Sequence, residues 1–144
     1  MSAIHLNYWA ILICGIVSMV WGSLYYGPLF GKIYMRLSGL DKLDPAKREE
    51  MMKGMGLKYF LAFVGAIVMA FILAHFIIFA EVYMGSYGAS VGLTTGFLAW
   101  LGLVAPVTMG NVLWGTSSWK FWVFSNFYYL VQLLAFGIIL GHLR

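Results

Sequence analysis

Charge is what this chain has least of. Only 10% of its 144 residues are Asp, Glu, Lys or Arg, while 62% are hydrophobic. A soluble domain carries roughly 25% charged residues, so an ordinary water-facing surface is excluded. Acidic residues are the scarcest, five in all. None falls in the first, third or fourth long apolar segment, and Glu81 lies only at the margin of the second. A small carrier that exchanges protons for substrate through an intramembrane carboxylate therefore lacks its acid. Cysteine is nearly absent as well. Cys14 is alone, inside an apolar run, so no intramolecular disulfide is available and the residue reads as a small hydrophobe. Neither HExxH nor a cysteine pair occurs, and no acid is placed to orient a histidine for nucleophilic chemistry. Haem ligation wants two buried histidines, and only His75 lies within an apolar run. No cofactor is expected, and an enzyme is the less favoured reading.

What the chain has in quantity is apolar length. Four runs, residues 8–26, 57–82, 90–113 and 121–141, are each long enough to cross a bilayer. The first gives about 28 Å of helix against a hydrocarbon core of roughly 30 Å. It reads as a retained span, because nothing positive precedes it and no small-x-small site follows. Short connections near 83–89 and 114–118 make successive spans antiparallel neighbours. The expected fold is all-α: one membrane domain over residues 1–144, a four-helix bundle with no internal repeat.

The few charges are placed asymmetrically. Lys32, Arg36, Lys42, Lys47, Arg48, Lys53 and Lys58, seven of nine Lys and Arg, fall between the first two spans. Basic residues collect on the cytoplasmic side. The distribution thus predicts both termini outside and the loop between the first two spans in the cytoplasm. The basic residues adjoin span ends, so anionic lipid headgroups are the expected partner and nucleic acid is not. Within this loop, residues 32–37 mix charge with large apolar groups, as a short interfacial helix does. Asp44-Pro45 is a helix start, and residues 46–53 are expected to continue into the second span. Tyr25, Tyr26, Phe30, Tyr34, Tyr59, Trp114, Trp119 and Trp122 read as inner interfacial anchors, with Tyr8, Trp9, Tyr83 and Tyr87 at the outer side.

Small residues recur at helical spacing. Ala62, Ala66, Ala70 and Ala74 share one face of the second span. Gly88, Gly92 and Gly96 open the third, and Gly137 and Gly141 close the fourth. Such faces let backbones approach closely. Contacts inside one chain and contacts between copies both fit them. Three faces in so short a chain favour self-association, as a homo-oligomer or as a subunit of a larger membrane complex. That non-enzymatic role is the leading sequence reading.

Polar groups inside the spans form two sets. Toward the inner side lie Ser18, Ser23, Thr108, Asn111, Ser125 and Asn126, with Pro106 loosening the third span about one turn from Asn111. The two asparagines are expected to face each other across the bundle interior. With Tyr26, Lys32 and Lys120 they would surround a cavity for an anionic or polar molecule, which makes a small-solute or lipid carrier the alternative. Toward the outer side lie His5, His75, Glu81 and His142, a donor set suited to Zn²⁺. His75 and Glu81, however, are about 120° apart around their helix, so chelation needs other helices.

Trp21-Gly-Ser-Leu-Tyr-Tyr-Gly-Pro-Leu-Phe-Gly-Lys32, then Gly96 to Pro106, Gly110-Asn111, Trp119-Lys120 and Asn126-Phe-Tyr-Tyr129 occur in order. Together they resemble the bacterial membrane family catalogued as domain of unknown function 1761. The resemblance spans nearly the whole chain and implies a small multi-pass membrane protein with no established activity or cofactor. The pattern departs at Leu130, where relatives often carry His, so a ligand role at that position does not carry over.

Overall fold

The computed structural model describes residues 5–143, and every regular element among them is helical. Helix α1 (Tyr8–Leu24) begins at Asn7, whose side chain accepts from the Trp9 and Ala10 amides. These are two of the donors that a helix start leaves unpaired. Its Nδ2 donates to the Leu143 carbonyl at 3.1 Å, tying the start of the first span to the end of the last. A wide turn of i→i+5 geometry, Tyr25–Leu29, carries the chain through Gly27 and Pro28. Gly27 and Pro28 therefore kink the first apolar helix, which extends past the expected 8–26 run to Leu29.

Helices α2 (Gly31–Ser38) and α3 (Pro45–Met52) occupy the basic loop. Arg48 holds the turn between them, donating to the carbonyls of Leu40 and Asp41 at 3.1 and 2.7 Å. Asp44 precedes α3, but its side chain makes no cap bond. One expectation fails here. Residues 46–53 do not run into the second span, because Lys53 is extended and Gly54 has φ of 74°. That left-handed step is open to glycine at little cost and breaks the helix. Helix α4 (Met55–Met84) then starts afresh and ends at Gly85, φ 63°.

The third span is two helices in line, α5 (Ala89–Ala99) and α6 (Ala105–Leu113), joined by a second wide turn, Trp100–Val104. Ala105 N–H reaches back to Trp100 O, five residues away. The cause is next in the chain. Pro106 has no N–H to give, and its ring crowds the preceding turn, so the helix widens there. Helix α7 (Trp119–His142) is the fourth span, capped by Ser118.

Helix α7 packs against α1, α4, α5 and α6, while α1 touches α4 and α4 touches α5. The spans thus close a bundle with the first and third at opposite corners. Ala66, Ala70 and Ala74 of α4 meet Ala10, Cys14, Leu133 and Phe136 in its core. The glycines of α5 and α7 meet each other. A methyl added to Gly92 would collide with the Gly137 carbonyl, and one on Gly137 with that of Gly92. Gly96 is pressed against Leu133 in the same way, and Gly141 against Gly88. The outside of the bundle is apolar, with Leu, Ile, Val and Phe exposed along all four spans. A face of that kind needs lipid rather than water.

Candidate binding cavity

One end of α4 leaves the bundle. Every residue from Met51 to Ala62 is exposed, whereas Ala66 onward enters the core. The space between this end and the other three spans is an open cavity of about 700 Å³. All four spans contribute to its wall: Ser18, Ser23 and Tyr26 from the first, Lys58, Tyr59 and Ala62 from the second, Thr108 and Asn111 from the third. The fourth adds Phe121, Trp122, Ser125, Asn126, Tyr128 and Tyr129. The first wide turn borders this region. Gly27 within the first lines the cavity, and the second directly precedes the helix that carries Thr108 and Asn111.

Of the sequence candidates, Ser18, Ser23, Tyr26, Thr108, Asn111 and Asn126 all line this space. Lys32 and Lys120 do not. Lys32 sits past the Gly27 kink on exposed α2, and Lys120 is exposed in the first turn of α7. The cation at the cavity is Lys58, whose Nζ donates to the Met51 carbonyl at 2.8 Å.

The two asparagines do not pair as expected. Asn126, 2% exposed, gives its amide to Thr108 Oγ1 at 3.0 Å and to the Trp122 carbonyl at 3.0 Å. Trp122 Nε1 also donates to Thr108 Oγ1, at 3.1 Å, while that hydroxyl donates to the Val104 carbonyl at 2.9 Å. Thr108 stands one turn before Asn111 on the face toward α7, so it takes the position assigned to Asn111. A second polar contact starts from the wall, with Ser18 Oγ donating to Gln132 Oε1 at 3.3 Å. Gln132 Nε2 then reaches Met69 Sδ at 3.8 Å. Sequence reasoning passed over Gln132, although an amide within an apolar run was signal enough.

The polar groups of the cavity therefore divide. Thr108, Asn126, Trp122 and Ser18 are committed to partners in the chain. The side chains of Ser23, Tyr26, Asn111, Ser125 and Tyr129 line the same space and make no hydrogen bond to the described residues.

Several aromatic residues read as anchors belong to this framework instead. Tyr25 is 2% exposed and its hydroxyl donates to the Phe124 carbonyl at 2.6 Å. Trp21 Nε1 donates to the Tyr128 carbonyl at 3.2 Å, its ring stacked 6.1 Å from that of Tyr128. Tyr26 packs on Tyr34 and Tyr128 at 4.8 and 5.1 Å between centroids. These contacts bind α1 and α2 to α7 and build the cavity's aromatic side. By contrast, Trp114, Tyr83 and Tyr87 are exposed, as anchors are.

The outer donor set does not assemble. Among the described residues no three His, Cys, Asp or Glu side chains are grouped to hold a metal ion. His75 Nδ1 lies 2.8 Å from the Phe71 carbonyl, and its ring packs on Phe71. Glu81 is buried in α4, His142 is exposed, and His5 borders a separate small cleft with Asn7 and Leu143. The separation of His75 and Glu81 around one helix is the reason, and no other span brings the histidines together.

The fold defines the class: a protein whose described residues form helices, four of them long and apolar enough to cross a membrane. A family model described as "Protein of unknown function (DUF1761)" matches residues 9–141, and the chain belongs to that family. Comparison with curated proteins gave no match, and comparison with solved structures gave none.

Proposed function

We propose that this protein is an integral protein of the bacterial cytoplasmic membrane that binds a small amphipathic molecule in the cavity between its four spans. It holds or passes that molecule between the bilayer and the cytoplasmic face. The observation that carries this reading is the cavity's mixed wall. Spare hydroxyl and amide groups at Ser23, Asn111 and Ser125 stand beside apolar Met19, Ala62, Val112 and Phe121. Small-ligand sites are of this kind, roughly 300–1,000 Å³, mostly apolar with a few placed polar groups. The wall contains no Cys, His, Asp or Glu, the side chains that most often serve as nucleophile or general base. Binding is thus better supported than chemistry.

The orientation follows from charge. The seven cations between residues 32 and 58 favour a cytoplasmic α2–α3 loop, which puts the open end of the cavity at the inner headgroups and both termini outside. Association between copies draws no support from the glycine faces, which are used inside one chain.

Native mass spectrometry of protein taken from its own membranes tests the reading. Wild type should carry a small-molecule adduct. Ala62→Trp, which places an indole into the cavity from its exposed rim, should lose it, and Gly65→Ala, on open helix surface, should keep it. An adduct equally abundant on all three, or absent from all three, contradicts the reading.

A further inference from the structure

The charge around the cavity specifies more than an amphipathic guest. Lys58 is the one charged residue in the wall, and no carboxylate accompanies it. Its ammonium has three donors, and only one is used in the chain, on the Met51 carbonyl. The same wall carries groups that donate hydrogen bonds and have no partner among the described residues: the hydroxyls of Tyr26, Ser23 and Tyr129 and the Asn111 amide. A wall that pairs one ammonium with O–H and N–H donors is complementary to an oxyanion. A cation would meet Lys58 with no counter-charge, and a neutral alcohol would accept a hydrogen bond from it without balancing its charge.

The apolar half fixes the rest of the guest. Ala62 stands one turn further into α4 than Lys58, Met19 lies mid-α1 beside Ser18, and both line the cavity, while Val112 and Phe121 line it near the ends of their helices. We infer that the cavity binds an alkyl chain ending in an oxyanion, a carboxylate or a phosphate, with the headgroup at Lys58 and the chain running inward against Ala62 and Met19. This rests on the binding role proposed above and narrows it to one class of ligand. Two sources supply that chemistry, a free single-chain acid and the headgroup of an acidic phospholipid.

The test uses the full chain in discs of phosphatidylcholine, with binding of tritiated decanoate displaced by unlabelled compounds of the same chain length. Decanoate and decyl phosphate should compete at tenfold or more lower concentration than decanol and decyltrimethylammonium. Lys58→Gln, at an exposed position, should bring the two anions to within about twofold of decanol. Lys32→Gln, on α2 outside the cavity, should leave the ranking of wild type. Phosphatidic acid built into the disc separates the sources: loss of decanoate binding assigns the headgroup of a bilayer lipid, retention assigns a free acid, and an oxyanion occupies the site in both. If decanol or the ammonium compound competes as well as the anions, or Lys58→Gln keeps the wild-type ranking, the oxyanion inference falls while the binding role stands. If no compound of the four binds saturably, both fall.

Discussion

Asn126 and Thr108 meet across the interface of α7 and α6, amide on hydroxyl at 3.0 Å, and the Trp122 indole lands on the same oxygen. A single threonine thus satisfies two donors from the facing helix, the buried Asn126 amide and the half-buried Trp122 indole, and returns its own proton to the Val104 carbonyl. Thr108→Val keeps the shape and strands both donors. The expected loss is about 1–3 kcal/mol, the cost of leaving buried donors unpaired, read by unfolding in mixed micelles. Thr108→Ser should recover most of it. Equal stability of the valine variant contradicts the assignment.

The same deletion at two tryptophans should behave differently. Trp122 Nε1 is bound to Thr108, whereas Trp100 Nε1 is buried with no partner among the described residues. Trp122→Phe should therefore cost about 1 kcal/mol more than Trp100→Phe, measured by the same unfolding assay. Equal losses would show that indole volume, not the hydrogen bond, sets the result.

Gly92 and Gly137 approach so closely that neither accepts a methyl without a backbone shift. Gly92→Ala and Gly137→Ala should each destabilise by about 1–3 kcal/mol or more, as overpacking does. Gly65→Ala, facing open space, should be neutral or slightly stabilising. The wild-type oligomeric state in mild detergent should not change with Gly92→Ala, because this face is internal. Dissociation of an oligomer by that variant would place the glycines between copies.

Cys14 is fully buried, so a cysteine at an exposed site is the one that an impermeant maleimide reaches. Lys47→Cys should resist labelling in cells with an intact inner membrane and label after its disruption. Labelling before disruption reverses the orientation and turns the cavity toward the outer face.

The spans were legible because apolar length and the rarity of charge leave few alternatives. The break at Gly54 was less so, since a helical charge pattern continues past it and the break lies in the backbone of extended Lys53 and left-handed Gly54. Ser18, Ser23, Tyr26, Thr108, Asn111, Ser125 and Asn126 share one cavity because their depths follow from counting along antiparallel spans. Depth does not give rotation. That is why Thr108 and not Asn111 holds Asn126, and why Lys58, counted in the sequence only as one of seven cations, stands at the cavity. The aromatic residues were misjudged for a related reason. A tyrosine at a span end reads the same whether it stays exposed, as Tyr83 does, or gives its hydroxyl to the Phe124 carbonyl, as Tyr25 does.

The central claim is that the spans enclose an occupied cavity beside α4, and the direct measurement is an experimental density map of the protein in native lipid. The account predicts elongated non-protein density bounded by Ser23, Tyr26, Asn111 and Asn126, with one end at Lys58. A map in which residues 55–62 pack against α1 and α7 and leave no space between the spans would contradict it.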